Sequence, residues 1–384
     1  MGAPQGSVAA TGGPSASAPA TPAGGALLGW TALFVVGILL AAAGAGIGLR
    51  HLQLEGTTAT AVLGLGLLLA GLAVVGWSAS RLWRGLAGRR RWWLVPLSVV
   101  AVVASWSVLI AVMATVVPAT PLDRNAAATV PVALREVHPV TDDGVALSAW
   151  WAPPTTGPTV VLLHGAGENR AATASAAAVL ALHGYGVLLL DARGHGDSAG
   201  AGMDLGWYGD SDVAAAIGFL RADGTADLRR VGLLGLSMGG EEAIGAAASI
   251  PEVRAVVAEG ASARTAEDKD AWLPGGVAGS VQRVVDGLTY GLVDVMTPAG
   301  PPVPLRDAVR SATGTRFLLI AAGTSPDEQA AAEAVRAAAP DRVSVWVVPG
   351  ASHTGALRTE PAAWEDRVVA FFDAALAAQP TPTG

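Results

Sequence analysis

Apolar positions fall into two regimes along the chain. Between residues 26 and 117 they come in long unbroken runs; beyond about residue 123 they come in short blocks separated by turn signals. The runs cover residues 26–49, 59–79 and 93–117, and none contains Asp, Glu, Lys or Arg. Each exceeds the ~20 residues with which a helix crosses a ~30 Å hydrocarbon layer. Three in succession, joined by short polar loops, predict three transmembrane helices rather than three buried core helices. The first is not read as a cleaved export signal, since no basic residue precedes Arg50 and such signals open on a basic segment. Pro96 sits near the start of the third run, where a helix has spare N–H groups. Residues 1–25 are mostly Gly, Ala, Ser, Pro and Thr without a charged side chain, a composition that predicts a disordered tail.

From residue 123 onward the pattern alternates between strand and helix. A hairpin is expected over 133–141 and 145–152, turning at Asp142-Asp143-Gly144, an Asp-Gly turn signal. Strands follow at 159–164, 185–191, 231–236, 253–259, 317–322 and 343–348. Helices are expected at 170–183, 211–221, 238–249, 327–339 and 361–377, and a long irregular stretch fills 261–312. Continuous apolar strands alternating with helices imply an α/β fold, a mostly parallel sheet covered on both faces. Residues 123–384 are long enough for one domain with a sizeable core.

Composition sharpens the division. Hydrophobic residues make up 52% of the 384 and charged residues only 14%, against about a quarter charged in an ordinary soluble chain. Residues 1–117 carry a formal charge of +5 and residues 118–384 one of −12. A net charge of −7 speaks against a nucleic-acid partner. There is no cysteine, so disulfides, Cys-based zinc sites and thiol nucleophiles are excluded. The loop between the second and third runs holds Arg81, Arg84, Arg89, Arg90 and Arg91, whereas the loop between the first two holds only Arg50. The positive-inside rule then puts the N-terminus in the cytoplasm of a multi-pass cell-membrane protein and everything after residue 117 outside. Trp30, Trp77, Trp92 and Trp93 lie near run ends, as headgroup anchors do. No charge lies within a run, so the membrane part reads as an anchor and the bilayer as its partner.

Candidate chemistry lies where α/β sheets carry it, in loops after the strands. Gly235-Leu236-Ser237-Met238-Gly239 matches G-x-S-x-G between an apolar strand and a helix, the context in which a serine is lifted above the sheet as a nucleophile. His164-Gly165-Ala166-Gly167 follows an earlier strand. Its glycines let a backbone N–H face the reaction centre, and Ala166 and Met238 are the expected oxyanion-hole donors. His164 itself reads as structural. Of six histidines only His353, after the last strand, follows the serine in sequence; it is the expected proton shuttle. The acid that orients it is expected at Asp327, with Glu328 as the alternative and Glu259 as a rival, although acids are common in any first helical turn.

These motifs, together with Asp191-Ala-Arg-Gly-His-Gly-Asp-Ser198, resemble the α/β-hydrolase superfamily, in particular its serine aminopeptidase-like and lipase- or esterase-like members. The resemblance covers about residues 133–378 and includes the order serine, acid, histidine. It implies a shaping role for the Asp191–Ser198 loop, so that Asp191, Arg193 and His195 need not be catalytic. It also implies a cap over the active site at 261–312, which holds an amphipathic stretch near 281–295. Substrate contact, packing on the body and docking on the membrane are all open for that cap. The sequence departs from the family in the acid loop, one residue longer between Gly323 and Asp327, and in the three-helix anchor.

The expected protein is therefore a membrane-anchored serine hydrolase, acting on a small-molecule or acyl substrate. It would cleave an ester, thioester or amide through an acyl-enzyme on Ser237, with no metal or organic cofactor called for. A peptidase or acyltransferase would use the same triad. From another class, an inactive hydrolase-like binding or sensor domain would need no serine, histidine and oxyanion loop together.

Overall fold

Residues 24–86, 88–155 and 157–377 are described by the computed structural model; most of the expected tail, residues 1–23, lies outside them. The three apolar runs form helices α1 (Gly24–Glu55), α2 (Ala59–Gly85) and α3 (Leu94–Thr115), the last preceded by a 3-10 turn over Gly88–Trp93. All three are long and apolar enough to cross a membrane. Helices α1 and α2 extend past their apolar runs, so that Arg50, His51 and Glu55 all belong to α1. Thr58 caps α2 by accepting the Ala61 N–H at 3.2 Å. Small residues let α1 and α2 pack backbone to backbone. A Cβ on Gly44 would lie 2.2 Å from the Leu68 nitrogen, and one on Gly64 2.3 Å from the Gly48 nitrogen. Such close approach is how helices associate in lipid, where apolar burial alone gives no drive.

Eight strands follow: β1 (Arg135–Val137), β2 (Ala149–Ala152), β3 (Thr159–Leu163), β4 (Gly186–Leu190), β5 (Val231–Leu236), β6 (Val253–Glu259), β7 (Arg316–Ala322) and β8 (Val343–Val348). They form one sheet in the order β1-β2-β4-β3-β5-β6-β7-β8. Strand β2 is antiparallel to both neighbours, and every pairing from β4 to β8 is parallel. The hairpin turn is as expected, with Gly144 at φ +85°, but its regular strands are shorter. Pro139 has no N–H to give the ladder, and beyond β1 only the Val140–Ala146 bridge remains.

The remaining helices are α4 (Ala174–Leu182), α5 (Gly209–Asp223), α6 (Met238–Ala246), α7 (Ala266–Asp270), α8 (Gly276–Met296), α9 (Leu305–Ser311), α10 (Pro326–Ala338), α11 (Ala356–Thr359) and α12 (Pro361–Ala375). The helix expected from residue 170 opens instead as a 3-10 turn, Arg170–Thr173, before α4. Alternation along β3 divides the core into two layers. Val161 and Leu163 face Val213, Ile217, Ile244 and Val309 on α5, α6 and α9. Val160 and Leu162 face Leu180, Trp364 and Phe372 on α4 and α12. The stretch over 261–312 is more regular than expected, holding α7, α8 and α9. Gly279, Gly287 and Gly291 inside α8 dilute its helical signal, each costing about 1 kcal/mol against alanine in a helix interior. Helix α8 lies along α3: Ala111 and Ala114 pack with Met203, Trp207, Tyr290 and Val293.

Candidate active site

Strand β5 delivers the chain to Ser237, and α6 begins one residue later. Ser237 has φ 52° and ψ −117°, a conformation that costs on the order of 1–3 kcal/mol for a non-glycine residue and persists only where its surroundings impose it. Its N–H donates to the Glu259 carbonyl at 2.7 Å, and its carbonyl accepts from Gly240 and Glu241 at 2.9 and 3.1 Å. The flanking glycines are required by crowding. A Cβ on Gly235 would sit 2.0 Å from the Gly239 oxygen, and one on Gly239 2.4 Å from the Leu163 oxygen.

The turn lifts Ser237 Oγ to 2.8 Å from His353 Nε2. On the far side of the ring, Nδ1 lies 2.9 Å from Glu328 Oε1. The acid facing the histidine is thus Glu328; the expectation that placed Asp327 there is corrected. Successive helical residues point about 100° apart, so only one of the two faces the β8 loop. Asp327 is exposed, while Glu328 is buried and also accepts the Ala322 N–H at 2.9 Å through Oε2. The Glu328 hydrogen bond holds His353 above its ordinary value despite the opposing effect of burial. Burial pushes the Glu328 carboxyl up, but bonds from His353 and Ala322 outweigh it and leave the group below the usual range. Glu259 does not reach the histidine ring. Its carboxylate accepts the Ala356 N–H at 2.7 Å and the Trp364 indole N–H at 3.2 Å, fastening the loop that carries His353 to the end of β6.

The loop after β3 abuts the first turn of α6, because the missing side chain of Gly239 admits the Leu163 and His164 carbonyls. In this loop Gly165 N–H donates to Glu168 Oε2 at 3.0 Å and Gly167 N–H to Asp204 Oδ1 at 2.8 Å. Between them Ala166 N–H, like that of Met238, has no protein acceptor among the described residues. His164 is fully buried and held neutral, its pKa pushed down to about 3 chiefly by burial. Its Nε2 accepts the Ala192 N–H at 3.1 Å, and Nδ1–H donates to the Gly165 carbonyl at 2.8 Å. The Asp191–Ser198 loop is tied down in the same manner. Asp191 accepts the backbone N–H groups of Arg170 and Asp197 at 2.6 and 2.8 Å and pairs with the Arg170 guanidinium. Arg193 pairs with Asp143 at 2.6 Å, and His195 Nε2 meets Asp204 Oδ1 at 2.9 Å.

Asp204 and Arg50 are the residues that the sequence did not single out for the site. Arg50, near the end of α1, pairs with Asp204 Oδ2 at 2.5 Å and donates to the Met113 carbonyl of α3 at 2.7 Å. Burial pushes the Asp204 carboxyl up, but the bond from His195 and the Arg50 charge keep it below its ordinary range. Asp204 in turn holds Gly167, whose carbonyl accepts from Thr120 Oγ1 at 2.6 Å. The first membrane-type helix is therefore hydrogen-bonded, through one carboxylate, to the loop that carries Ala166. In the sequence Arg50 registers only as a loop charge, and nothing local announces a partner 154 positions away.

Known structures share this architecture. A Pyrococcus furiosus esterase superposes with a TM-score of 0.55 over 68% of this chain and 99% of its own, at 24% identity. An α/β-hydrolase from Penicillium sp. superposes with a TM-score of 0.51 over 64% of this chain and all of its own, at 16% identity. The domain has the α/β-hydrolase fold. Residues 155–299 of this α/β-hydrolase domain match the family described as serine aminopeptidase, S33; Glu328 and His353 fall beyond the match. Two uncharacterised Mycobacterium tuberculosis proteins, from strains CDC 1551 and H37Rv, are each 34% identical over 128 residues. That alignment covers 32% of this chain and 44% of each relative, so the chain spans under half the length of the curated relatives it matches.

Proposed function

We propose that this chain is a membrane-anchored serine hydrolase that cleaves an ester, thioester or amide through an acyl-enzyme on Ser237. The observation that carries this reading is the unbroken line Ser237 Oγ, His353 Nε2, His353 Nδ1, Glu328 Oε1, with gaps of 2.8 and 2.9 Å. Ser237 O–H donates to Nε2, and Nδ1–H donates to the carboxylate. As Oγ attacks a carbonyl carbon, its proton passes to Nε2, and Glu328 stabilises the imidazolium without taking the second proton. The oxygen of the tetrahedral intermediate turns to the unpartnered Ala166 and Met238 N–H groups, donors already fixed before the reaction. His353 returns its proton to the leaving group, and water, activated by the same histidine, releases the acyl group. Helices α1–α3 anchor the domain, with the N-terminus cytoplasmic and the hydrolase domain on the opposite side.

A fluorophosphonate probe applied to membranes tests this. Wild type is expected to label, and Ser237→Ala and His353→Ala to lose labelling while retaining the wild-type melting temperature. A folded wild type that does not label would instead support the binding-domain reading.

A further inference from the structure

Helix α8 presents two faces with opposite chemistry. On one, Asp286 meets Lys269 at 3.3 Å and Gln282 at 2.9 Å, Arg283 pairs with Asp270, and the Tyr290 hydroxyl donates to the Ala263 carbonyl at 3.3 Å. Lys269 and Asp270 of α7 and the Ala263 carbonyl in the loop before it supply the partners from outside α8. On the other, Val277, Val281, Val284, Leu288 and Val295 form an exposed stripe at helical spacing, Val277 being 83% exposed. A continuous apolar stripe on a water-facing surface marks an interface.

Its neighbour says which one. Helices α8 and α3 run side by side in the same direction. Ser107 Oγ donates to the Val285 carbonyl at 3.4 Å, Ala111 and Ala114 pack with Tyr290 and Val293, and Val99 and Val103 of α3 line one groove together with Gly276, Val277 and Ser280 of α8. At 1.5 Å per residue, Ser107 lies about 12 Å and Val99 about 24 Å from the end of α3 at Thr115. If α3 crosses the ~30 Å hydrocarbon layer, the start of α8 is inside that layer. Between the two helices runs a groove of about 710 Å³, walled by valines, Leu288 and Ala104 with Ser280 as the only hydroxyl, and continuous with the outer face of α3, where Val99, Val100 and Val102 are exposed.

We propose that α8 is embedded in the bilayer beside α3, and that the α3–α8 groove takes an acyl chain of a bilayer lipid. The inference rests on the reading of α3 as a membrane span. Charge does not oppose it. Lys269 pairs with Asp286 and Arg283 with Asp270, the arrangement in which ionisable groups are tolerated at depth. The exposed Asp294 lies beside Val293, which packs with Ala114 at the end of α3, on the surface side of the layer. It also fixes where the nucleophile sits. Tyr290 holds the Ala263 carbonyl and Glu241 accepts the Ala263 N–H at 2.8 Å; Glu241 lies in the first turn of α6, directly after Ser237. The cap thereby holds the Ser237 elbow close to the bilayer surface.

The absence of cysteine makes the test direct. Val277→Cys, Val281→Cys and Leu288→Cys are each labelled with an environment-sensitive fluorophore in the full-length protein, in phosphatidylcholine vesicles. Quenching by lipids carrying a nitroxide on the acyl chain is compared with quenching by aqueous iodide. Val62→Cys, on the exposed face of α2, is the reference for the span, and Asp341→Cys, on the exposed turn before β8, the reference for water. The expected result is lipid quenching on α8 equal to that at position 62, with iodide quenching lost. Quenching at position 62 combined with iodide access on α8 overturns the proposal and leaves the anchor intact. No lipid quenching at either place overturns the anchor and the proposal together. Oxidative cross-linking between two Val281→Cys copies, with lipid quenching absent, overturns it in favour of a second copy of the chain.

Discussion

At the scale of single residues, the site turns on which of two adjacent acids faces His353. Glu328 does, and its hydrogen bond favours the protonated ring, raising the histidine above the ordinary 6.5. His353 must be neutral to accept the serine proton. Activity is therefore expected to rise with pH through a midpoint above about 6.5 and to vanish below it. In Glu328→Gln the midpoint should move down, and kcat should fall on the order of 10²–10⁴-fold as the ring loses its orienting acceptor. Asp327→Asn should leave both unchanged. A pH–rate profile on a p-nitrophenyl ester measures all three, and an equal loss in Asp327→Asn would reverse the assignment of the acid. Both acids stand in the first turn of one helix, and sequence supplies no phase for that turn. The phase comes from burial: the side of α10 that buries Ala331, Ala332 and Val335 also buries Glu328.

At the scale of elements, the loop carrying Ala166 is held from outside its own domain. Arg50 on α1 grips Asp204, and Asp204 grips the Gly167 N–H. Loosening this clamp should misplace the Ala166 donor without touching serine or histidine. Arg50→Gln is expected to lower kcat about tenfold, or 1.4 kcal/mol of barrier, with KM little altered, and Arg50→Lys should recover part of the loss. An unchanged kcat in Arg50→Gln would mean that the clamp only docks the domain. The strands β3 to β8 were legible from their unbroken apolar runs, and their helices from periodicity, to within a few residues. Helix α8 was legible only as its amphipathic half, because glycines at its start weaken the helical signal while α3 supplies the packing that keeps it helical.

At the scale of the molecule, the C-terminal ends of α1 and α3 both touch the hydrolase domain, through Arg50 and through Ala111 and Ala114. The arginine-rich segment after α2 lies at the opposite end of the bundle from those contacts. Proposed as cytoplasmic, that segment puts the hydrolase domain outside. A Gly85→Cys protein in intact cells should then resist an impermeant thiol reagent and label after permeabilisation. Labelling before permeabilisation would invert the orientation.

What the sequence determined by itself was whatever depends on local composition and order. Uncharged runs of more than twenty residues specify helices long and apolar enough to cross a membrane, apolar blocks alternating with helices specify a parallel sheet, and glycines around Ser237 specify the elbow, since no side chain fits there. What the tertiary structure decided was everything that depends on phase or on distant partners. It selected Glu328 over Asp327, joined Arg50 to the loop of Ala166, and laid α8 along α3 with its apolar stripe left exposed. A carboxylate chooses its partner by direction and burial, and a helix face by what it packs against. Both are fixed only once segments far apart in the chain have met.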